Sequence, residues 1–292
     1  MPPFTWASGG IGIRDGLKIR WLNKPCGFKS HLAHHKLVIL IGVNIVVDKL
    51  MTSYELRGKG KLVLVLHGWG DSSKGVGALA ADLAGSYQVL TLDLPGFGAT
   101  QPPETAWDLD DYSRFLAALL KKLDLSQPYA VIGHSNGGAL AVRATSLKLL
   151  KPEKLVLLAA SGVRTNNRAK RVFLKIIAKT GNLATIWMPE RYRQDLRKSL
   201  YGAAGSDMLV APTLQDTFKK TVRQDVQADA VVISAQTLLI YAKADDAVPV
   251  ADGKQYKSLI KNSRLEIIED AGHFVHIDQP AQVSKLVKEF LA

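Results

Sequence analysis

The sequence predicts an α/β protein with a mostly parallel sheet that is covered by helices on both faces. Short apolar segments of strand character alternate along the chain with helical segments of about 10–15 residues, and this alternation is typical of parallel sheets. The chain has 292 residues, of which 47% are hydrophobic and 22% charged, so one large buried core can form. The composition favours a single domain that carries an inserted subdomain.

The segments predicted to be strands are short, apolar or β-branched, and bounded by turn residues. In chain order they span residues 38–47, 52–56, 61–66, 88–92, 129–132, 155–159, 237–241 and 264–268. The first two are predicted to pair and to turn near Asp48 and Lys49. The third is apolar throughout, which is typical of a strand buried on both faces.

Helices are predicted at residues 75–84, 108–123, 139–149 and 281–291. The second of these has the clearest pattern, because Asp108 can cap its amino terminus and the apolar residues that follow recur at helical spacing. The residues expected to share its buried face are Leu109, Tyr112, Phe115, Leu116 and Leu119. Helix and strand therefore alternate over most of the chain.

Two segments depart from this alternation. Residues 164–230 look helical and basic, with 168–179 the clearest amphipathic piece, and we expect them to form a helical cap over the carboxyl ends of the strands. Residues 1–36 show neither helical nor strand periodicity, and we expect them to be a disordered extension. They look like a peptide translated from an upstream transfer-RNA gene, so a misassigned start codon is one interpretation and a mobile basic arm is the other. Residues 37–292 then form the folded domain.

The net charge of +12 is concentrated in two places. Residues 163–233 carry thirteen Lys and Arg against six acids, and residues 1–50 carry seven against two. Because the rest of the chain is balanced and no nucleic-acid-binding motif accompanies the charge, nucleic-acid binding is disfavoured. The basic cap instead leads to the hypothesis that the substrate is anionic, with contact to anionic lipid as the alternative.

No disulfide, metal or cofactor is expected. Cys26 is the only cysteine, and no Cys or His cluster has zinc-ligand spacing. The longest apolar run, residues 37–47, is about half of the roughly 20 residues that a membrane-spanning helix needs and lacks signal-peptide features. We therefore expect a cytoplasmic location.

The segment Gly133-His-Ser135-Asn-Gly137 carries the strongest chemical signal. A GxSxG pattern is weak by itself, but here it stands where a buried strand gives way to a helix, which is the setting of a nucleophile elbow. The flanking glycines let neighbouring backbone pass close to the serine. Ser135 is therefore the candidate nucleophile, and a plain glycine-rich turn is the alternative.

A serine hydroxyl needs a base and an acid that orients the base. His273 follows the last predicted strand and would reach the edge of the sheet where Ser135 lies, whereas His276 is its rival. Asp245 and Asp246 both follow the strand at 237–241, and only one of them can point at the histidine. These residues leave the choice of acid open.

An oxyanion needs preorganised donors. The N–H of Asn136, directly after the serine, and the N–H of Trp69, in the loop His67-Gly-Trp-Gly, are the candidates. His67 and His134 are interpreted as packing beside the site. Asp93, in the turn Asp-Leu-Pro-Gly-Phe-Gly, is interpreted as structural.

The segments HGWG, DLPGFG, GHSNGG and DAGHFVHIDQP together resemble the α/β-hydrolase superfamily, in particular its lidded bacterial members, from about residue 40 to the carboxyl terminus. The resemblance implies a mostly parallel eight-stranded sheet, a triad of Ser135, Asp245 and His273, and an oxyanion hole of Trp69 and Asn136. It favours Asp245 over Asp246 through its offset from Pro249. Asn136 departs from the Met, Leu or Gln that is more frequent in the family after the serine.

This resemblance implies a serine hydrolase that cleaves a carboxylic ester through an acyl-enzyme. Carbon–carbon bond hydrolysis of a dienoate and cleavage of a thioester, lactone or amide share the same motifs and stay open. A ligand-binding receptor that keeps the hydrolase frame with little turnover is a hypothesis of another class.

Overall fold

The computed structural model describes residues 38–163 and 214–292, with side chains from residue 42 onward. An eight-stranded sheet runs through it. Its strands are β1 (Val38–Val47), β2 (Leu50–Gly58), β3 (Leu62–Leu66), β4 (Gln88–Leu92), β5 (Ala130–His134), β6 (Lys154–Leu158), β7 (Gln236–Ala242) and β8 (Ser263–Ile268). All predicted strands are present, and the bounds differ by a few residues at most.

The strands lie in the order β1-β2-β4-β3-β5-β6-β7-β8. β1 pairs with β2, and β2 with β4, in antiparallel fashion, whereas the remaining neighbours are parallel. Asp48 and Lys49 form the β1–β2 turn with positive φ angles of 45° and 69°, a conformation that matches the twist of paired strands. The predicted fold class is confirmed.

Eight helices lie in the described residues and connect or flank the strands. They are α1 (Gly77–Leu83), α2 (Leu109–Lys122), α3 (Asn136–Ser146), α4 (Gln215–Thr221), α5 (Gln227–Val231), α6 (Val250–Leu259), α7 (Val275–Asp278) and α8 (Pro280–Leu291). Asp108 caps α2 as predicted: its carboxylate accepts from the N–H groups of Asp110 and Asp111, and the Asp111 carboxylate accepts from the N–H of Asp108. This reciprocal pair satisfies helix-end donors that would otherwise be unbonded.

Apolar side chains form one layer on each face of the sheet. The layer beneath α2, α3 and α6 includes Phe115, Val131, Leu140, Tyr241 and Tyr256. The layer beneath α1 and α8 includes Leu83, Val89, Ile132, Val283 and Val287. Val131 and Ile132 are neighbours in β5 and enter opposite layers, because successive strand side chains point to opposite faces. β5 is therefore buried on both faces, up to the carboxyl end that precedes Ser135.

α6 and α7 were not predicted, and α3 begins three residues before its predicted start. α6 has few apolar residues at helical spacing and contains Gly253, which ordinarily weakens a helix. The close approach of the Tyr241 ring requires that glycine, because a Cβ at Gly253 would lie 2.7 Å from the ring. Packing against the sheet thus outweighs weak local propensity.

Two predicted features lie wholly outside the described residues: the extension at residues 1–36 and the amphipathic piece at 168–179. The predicted cap lies outside them as far as residue 213. The cap and extension therefore stay predictions. The portion of the predicted cap from residue 214 onward contains the short helices α4 and α5. No helix in the described part of the chain is long and apolar enough to cross a membrane.

Candidate active site

Ser135 occupies a sharp turn between β5 and α3. Its φ and ψ are 51° and −117°, a region that side-chain-bearing residues rarely adopt and that is found at functional turns. A Cβ at Gly133 would lie 2.4 Å from the carbonyl oxygen of Gly137, and one at Gly137 would lie 2.4 Å from the carbonyl oxygen of His67. The two glycines are therefore required by close backbone contact, as the motif predicted.

Neighbouring backbone holds this turn in place. The N–H of Ser135 donates to the carbonyl oxygen of Leu158 in β6 at 2.9 Å. Its own carbonyl oxygen accepts from the N–H groups of Gly138 at 3.0 Å and Ser161 at 3.1 Å. Both peptide groups of the strained residue are thus bonded, which offsets the unfavourable conformation.

The structure brings Ser135, His273 and Asp245 together. Nε2 of His273 lies 3.0 Å from the Ser135 Oγ, and Nδ1 lies 2.8 Å from Oδ2 of Asp245. Because a carboxylate can only accept, Nδ1 carries the proton and Nε2 is left to accept from the serine hydroxyl. This is the geometry of a base poised to remove the hydroxyl proton.

The second oxygen of the Asp245 carboxylate is also bonded. Oδ1 accepts from the N–H groups of Ala247 and Val248, both at 2.8 Å, and the side chain is fully buried. Three donors therefore hold the carboxylate in one orientation. Asp246, the alternative acid, is exposed.

His276, the alternative base, lies behind the site. Its side chain is buried, and its ring packs 4.7 Å from that of His134, measured between centroids. Neither ring nitrogen makes a hydrogen bond of normal geometry with the described residues. Burial lowers the pKa of His276, although the nearby Asp71 carboxylate opposes this shift.

The loop that contains Trp69 runs directly beside the serine. A Cβ at Gly68 would lie 3.1 Å from the Ser135 Cβ, so the loop backbone touches the turn that carries Ser135. The Trp69 ring is buried and packs edge-on against Phe97, with ring centroids 4.9 Å apart. Trp69 therefore stands one residue beyond the contact with Ser135.

His67 holds this loop in place by two hydrogen bonds, whereas only packing was predicted for it. Its Nε2 accepts from the N–H of Leu94 at 2.9 Å, and its Nδ1 donates to the carbonyl oxygen of Gly68 at 2.8 Å. Burial lowers the pKa of His67, which favours the neutral ring that both bonds require. The ring thus ties the loop after β3 to the loop after β4. The feature of the sequence that could have indicated this role is the position of the histidine directly after β3, since hydrophobic periodicity gives no information about it.

Asp93 has the structural role that was predicted. Its carboxylate accepts from the N–H groups of Ser73 and Ala99, each at 2.8 Å. Gly98 is required beside it, since a Cβ there would lie 2.2 Å from Oδ2. Asp93 therefore stabilises the loop after β4 and connects it to the loop that contains Ser73.

A cavity of about 590 Å³ opens next to Asn136. Its described walls include Asn136, Ala139, Ser161, Val163, Val248 and Asp252. The mixture of apolar walls with a few polar groups is typical of small-molecule sites. In the described residues no group of three or more His, Cys, Asp or Glu side chains is placed to hold a metal ion.

Sequence comparison relates the chain to known hydrolases. A family model described as the alpha/beta hydrolase family matches residues 62–286. 2-Hydroxy-6-oxo-2,4-heptadienoate hydrolase of Pseudomonas putida is 26% identical over 282 residues, covering 86% of this chain and 96% of that protein. 2-Hydroxymuconate semialdehyde hydrolase of a Pseudomonas species is 26% identical over 279 residues, covering 86% and 94%.

Solved structures share the fold. A meta-cleavage product hydrolase from Pseudomonas fluorescens gives a TM-score of 0.65 at 23% identity, covering 86% of this chain and 97% of that one. A thermophilic esterase from Thermogutta terrifontis gives a TM-score of 0.66 at 20% identity, covering 85% and 97%. The same frame therefore accommodates proteins of different named activity.

Proposed function

The chain belongs to the alpha/beta hydrolase family, and from this premise we propose that it is a serine hydrolase that cleaves a carboxylic ester through an acyl-enzyme. Ser135 is the nucleophile, His273 the general base and acid, and Asp245 the residue that orients the histidine. One observation carries the proposal: the unbroken series of hydrogen bonds from Asp245 through His273 to the hydroxyl of Ser135.

The reaction follows from this order of groups. The Ser135 Oγ attacks the ester carbonyl carbon while its proton passes to Nε2 of His273, and Asp245 stabilises the resulting imidazolium. The tetrahedral intermediate collapses when Nε2 returns the proton to the leaving alkoxide. Water, deprotonated by the same nitrogen, then attacks the acyl-enzyme and releases the carboxylic acid and Ser135.

The negative charge on the intermediate requires donors. We assign this role to the backbone N–H groups of Asn136 and Trp69. Asn136 begins α3, where the N–H groups have no partner within the helix and the helix dipole favours an anion, and Trp69 follows the glycine that touches the serine turn. Loss of one such donor typically raises the barrier by about 2.7–4 kcal/mol.

A fluorophosphonate probe tests the nucleophile. The wild-type protein should be labelled, Ser135→Ala should not, and Ser258→Ala, on the surface of α6, should be labelled at the wild-type rate. Hydrolysis of p-nitrophenyl butyrate should follow the same pattern. Equal labelling of wild type and Ser135→Ala would refute the assignment, and tight ligand binding with no turnover would favour a receptor.

Carbon–carbon bond hydrolysis is the second candidate. The observation that favours it is the similarity to hydrolases named for a heptadienoate and for hydroxymuconate semialdehyde, at 26% identity over nearly their whole length. A 2-hydroxy-6-oxo-dienoate, followed by loss of its absorbance, should be compared with p-nitrophenyl butyrate. A kcat/KM at least about tenfold higher for the dienoate, with both activities lost in Ser135→Ala, would replace the ester assignment.

A further inference from the structure

His134 links the strand that carries the serine to the loop that carries the base. It is the last residue of β5 and immediately precedes Ser135. Its Nε2 lies 2.9 Å from the backbone carbonyl oxygen of His273, and its side chain is 1% exposed. Because a carbonyl oxygen only accepts, Nε2 must carry a proton and donate it.

We propose that His134 is a positioning residue: through its Nε2–H it holds the backbone of His273 at the distance from which the imidazole reaches the Ser135 hydroxyl. This inference rests on the proposed function. Asp245 orients the far side of the His273 ring, whereas the bond from His134 holds the backbone of the same residue. The base is thus held at both ends.

The bond from His134 acts on the backbone of His273 itself. His273 lies between β8 and α7, and within the described residues the other side-chain hydrogen bonds to the backbone of this loop fall on neighbouring residues. The N–H of Gly272 donates to the Asp278 carboxylate at 2.8 Å, and the Gln279 amide donates to the carbonyl oxygen of Asp270 at 2.8 Å. A displacement of about 1 Å at a reacting group can lower a rate by about a hundredfold.

The surroundings of His134 allow one protonation state. The ring lies 4.9 Å from that of His273 and 4.7 Å from that of His276, between centroids. Burial, together with these two rings, lowers the pKa of His134 well below its usual value. A neutral ring also avoids a second positive charge beside the imidazolium that forms on His273 during the reaction.

The other ring nitrogen shows that the bond to His273 decides the tautomer. Nδ1 is buried and has no hydrogen-bond partner in the described part of the chain. It packs against the loop that contains Trp69, since a Cβ at Gly68 would lie 2.9 Å from it. With Nδ1 facing backbone carbon, the single proton of the neutral ring belongs on Nε2.

Two substitutions separate positioning from packing. In His134→Gln the side-chain nitrogen stands as many bonds from the Cβ as Nε2 does and can donate the same bond, whereas His134→Met fills similar space without a donor. The measurements are the rate of fluorophosphonate labelling, kcat and KM for p-nitrophenyl butyrate, and the melting temperature. We expect Met to lower the labelling rate and kcat by about 10- to 100-fold with KM within about twofold, and Gln to stay within about threefold of wild type.

A spectroscopic signature distinguishes this role from general stability. The downfield proton resonance of the bond between His273 Nδ1–H and Asp245 should persist in wild type and His134→Gln and should broaden or vanish in His134→Met. Should the Met variant fail to fold, ¹⁵N spectra of the wild-type protein still test the proposal, because His134 must appear as the neutral Nε2–H tautomer.

The outcomes are distinct. Three results would overturn the positioning role while leaving the serine hydrolase assignment intact. They are labelling of His134→Met at the wild-type rate, equally slow labelling of the Gln and Met variants, and an Nδ1–H tautomer at His134. Failure of the wild type to be labelled, or labelling that persists in Ser135→Ala, would overturn both.

Discussion

The hydroxyl of Tyr256 donates a 2.6 Å hydrogen bond to the carbonyl oxygen of Ser161. The N–H of the same Ser161 donates to the carbonyl oxygen of Ser135 at 3.1 Å. Tyr241 anchors the preceding residue in the same way, donating to the carbonyl oxygen of Ala160 at 2.8 Å. Two buried phenols therefore hold the segment that supports the strained serine, although both stand far from it in sequence.

Tyr256→Phe tests this support. Loss of the donor should lower the free energy of unfolding by about 1 kcal/mol and slow fluorophosphonate labelling roughly three- to tenfold, because Ser161 is freed to shift. Tyr129→Phe is the matched control. The Tyr129 hydroxyl donates to the carbonyl oxygen of Leu291 at 2.8 Å, and Tyr129 directly precedes β5, at the opposite end of that strand from Ser135. The control should lose similar stability and keep its labelling rate. Equal labelling of both variants would contradict the supporting role.

Gly137→Ala should disrupt the serine turn. The added Cβ would lie 2.4 Å from the carbonyl oxygen of His67, a backbone atom that cannot move aside cheaply. We expect a loss of about 1–3 kcal/mol in the free energy of unfolding, measured by urea denaturation, together with loss of labelling. Gly77→Ala, where nothing lies within 4 Å, should be neutral or stabilising by up to about 1 kcal/mol. A Gly137→Ala protein as stable as Gly77→Ala would show that the turn has room.

Asp245→Asn should lower kcat by a factor on the order of 10⁴, as the corresponding change does in serine proteases. The carboxylate accepts from His273, Ala247 and Val248 at once. An amide has one oxygen to share among these donors, so its NH₂ group must face one of them or force the other histidine tautomer. Asp246→Asn, at the exposed neighbour, should retain wild-type kcat. Comparable loss in both variants would assign the orienting role elsewhere.

Stability should fall as the pH falls below neutrality. His67, His134 and His276 are buried, and burial lowers the pKa of each, that of His134 well below its usual value. In the unfolded chain each binds a proton near pH 6.5, about the ordinary value. The unfolded state therefore binds more protons below that pH, so this stabilisation is complete above about pH 6.5 and is lost as the pH decreases.

Urea denaturation at pH 7.5, 6.5 and 5.5 measures this effect. Each histidine can contribute a slope of up to about 1.4 kcal/mol per pH unit. His276→Gln should flatten the dependence, because it removes one of the three groups and leaves His67 and His134 in place. A free energy of unfolding that stays constant over this range would contradict the neutral, buried state of these rings.

Local sequence was sufficient to predict most of the fold and the strand-to-helix turn at Ser135. The strands were recognisable because apolar runs and turn residues are local signals, and Asp108 was recognisable as a cap because its partners lie within the next three residues. Ser135 could be located because a strand, a glycine pair and a helix stand next to one another in the chain. α6 was missed because its stability comes from packing against the sheet.

Local patterns were enough to predict the alternation of strands and helices, the strand-to-helix turn at Ser135, and the small set of acids and histidines that were candidates for its partners. The folded arrangement was needed to see that His273 rather than His276 lies in hydrogen-bond reach of Ser135, and that Asp245 rather than Asp246 lies in reach of His273. The bonds of His134 to the His273 carbonyl oxygen and of Tyr256 to the Ser161 carbonyl oxygen likewise form only in the folded chain. The reason is physical: hydrogen bonding depends on distances of about 3 Å and on orientation, and residues more than a hundred positions apart acquire these only when the sheet is assembled.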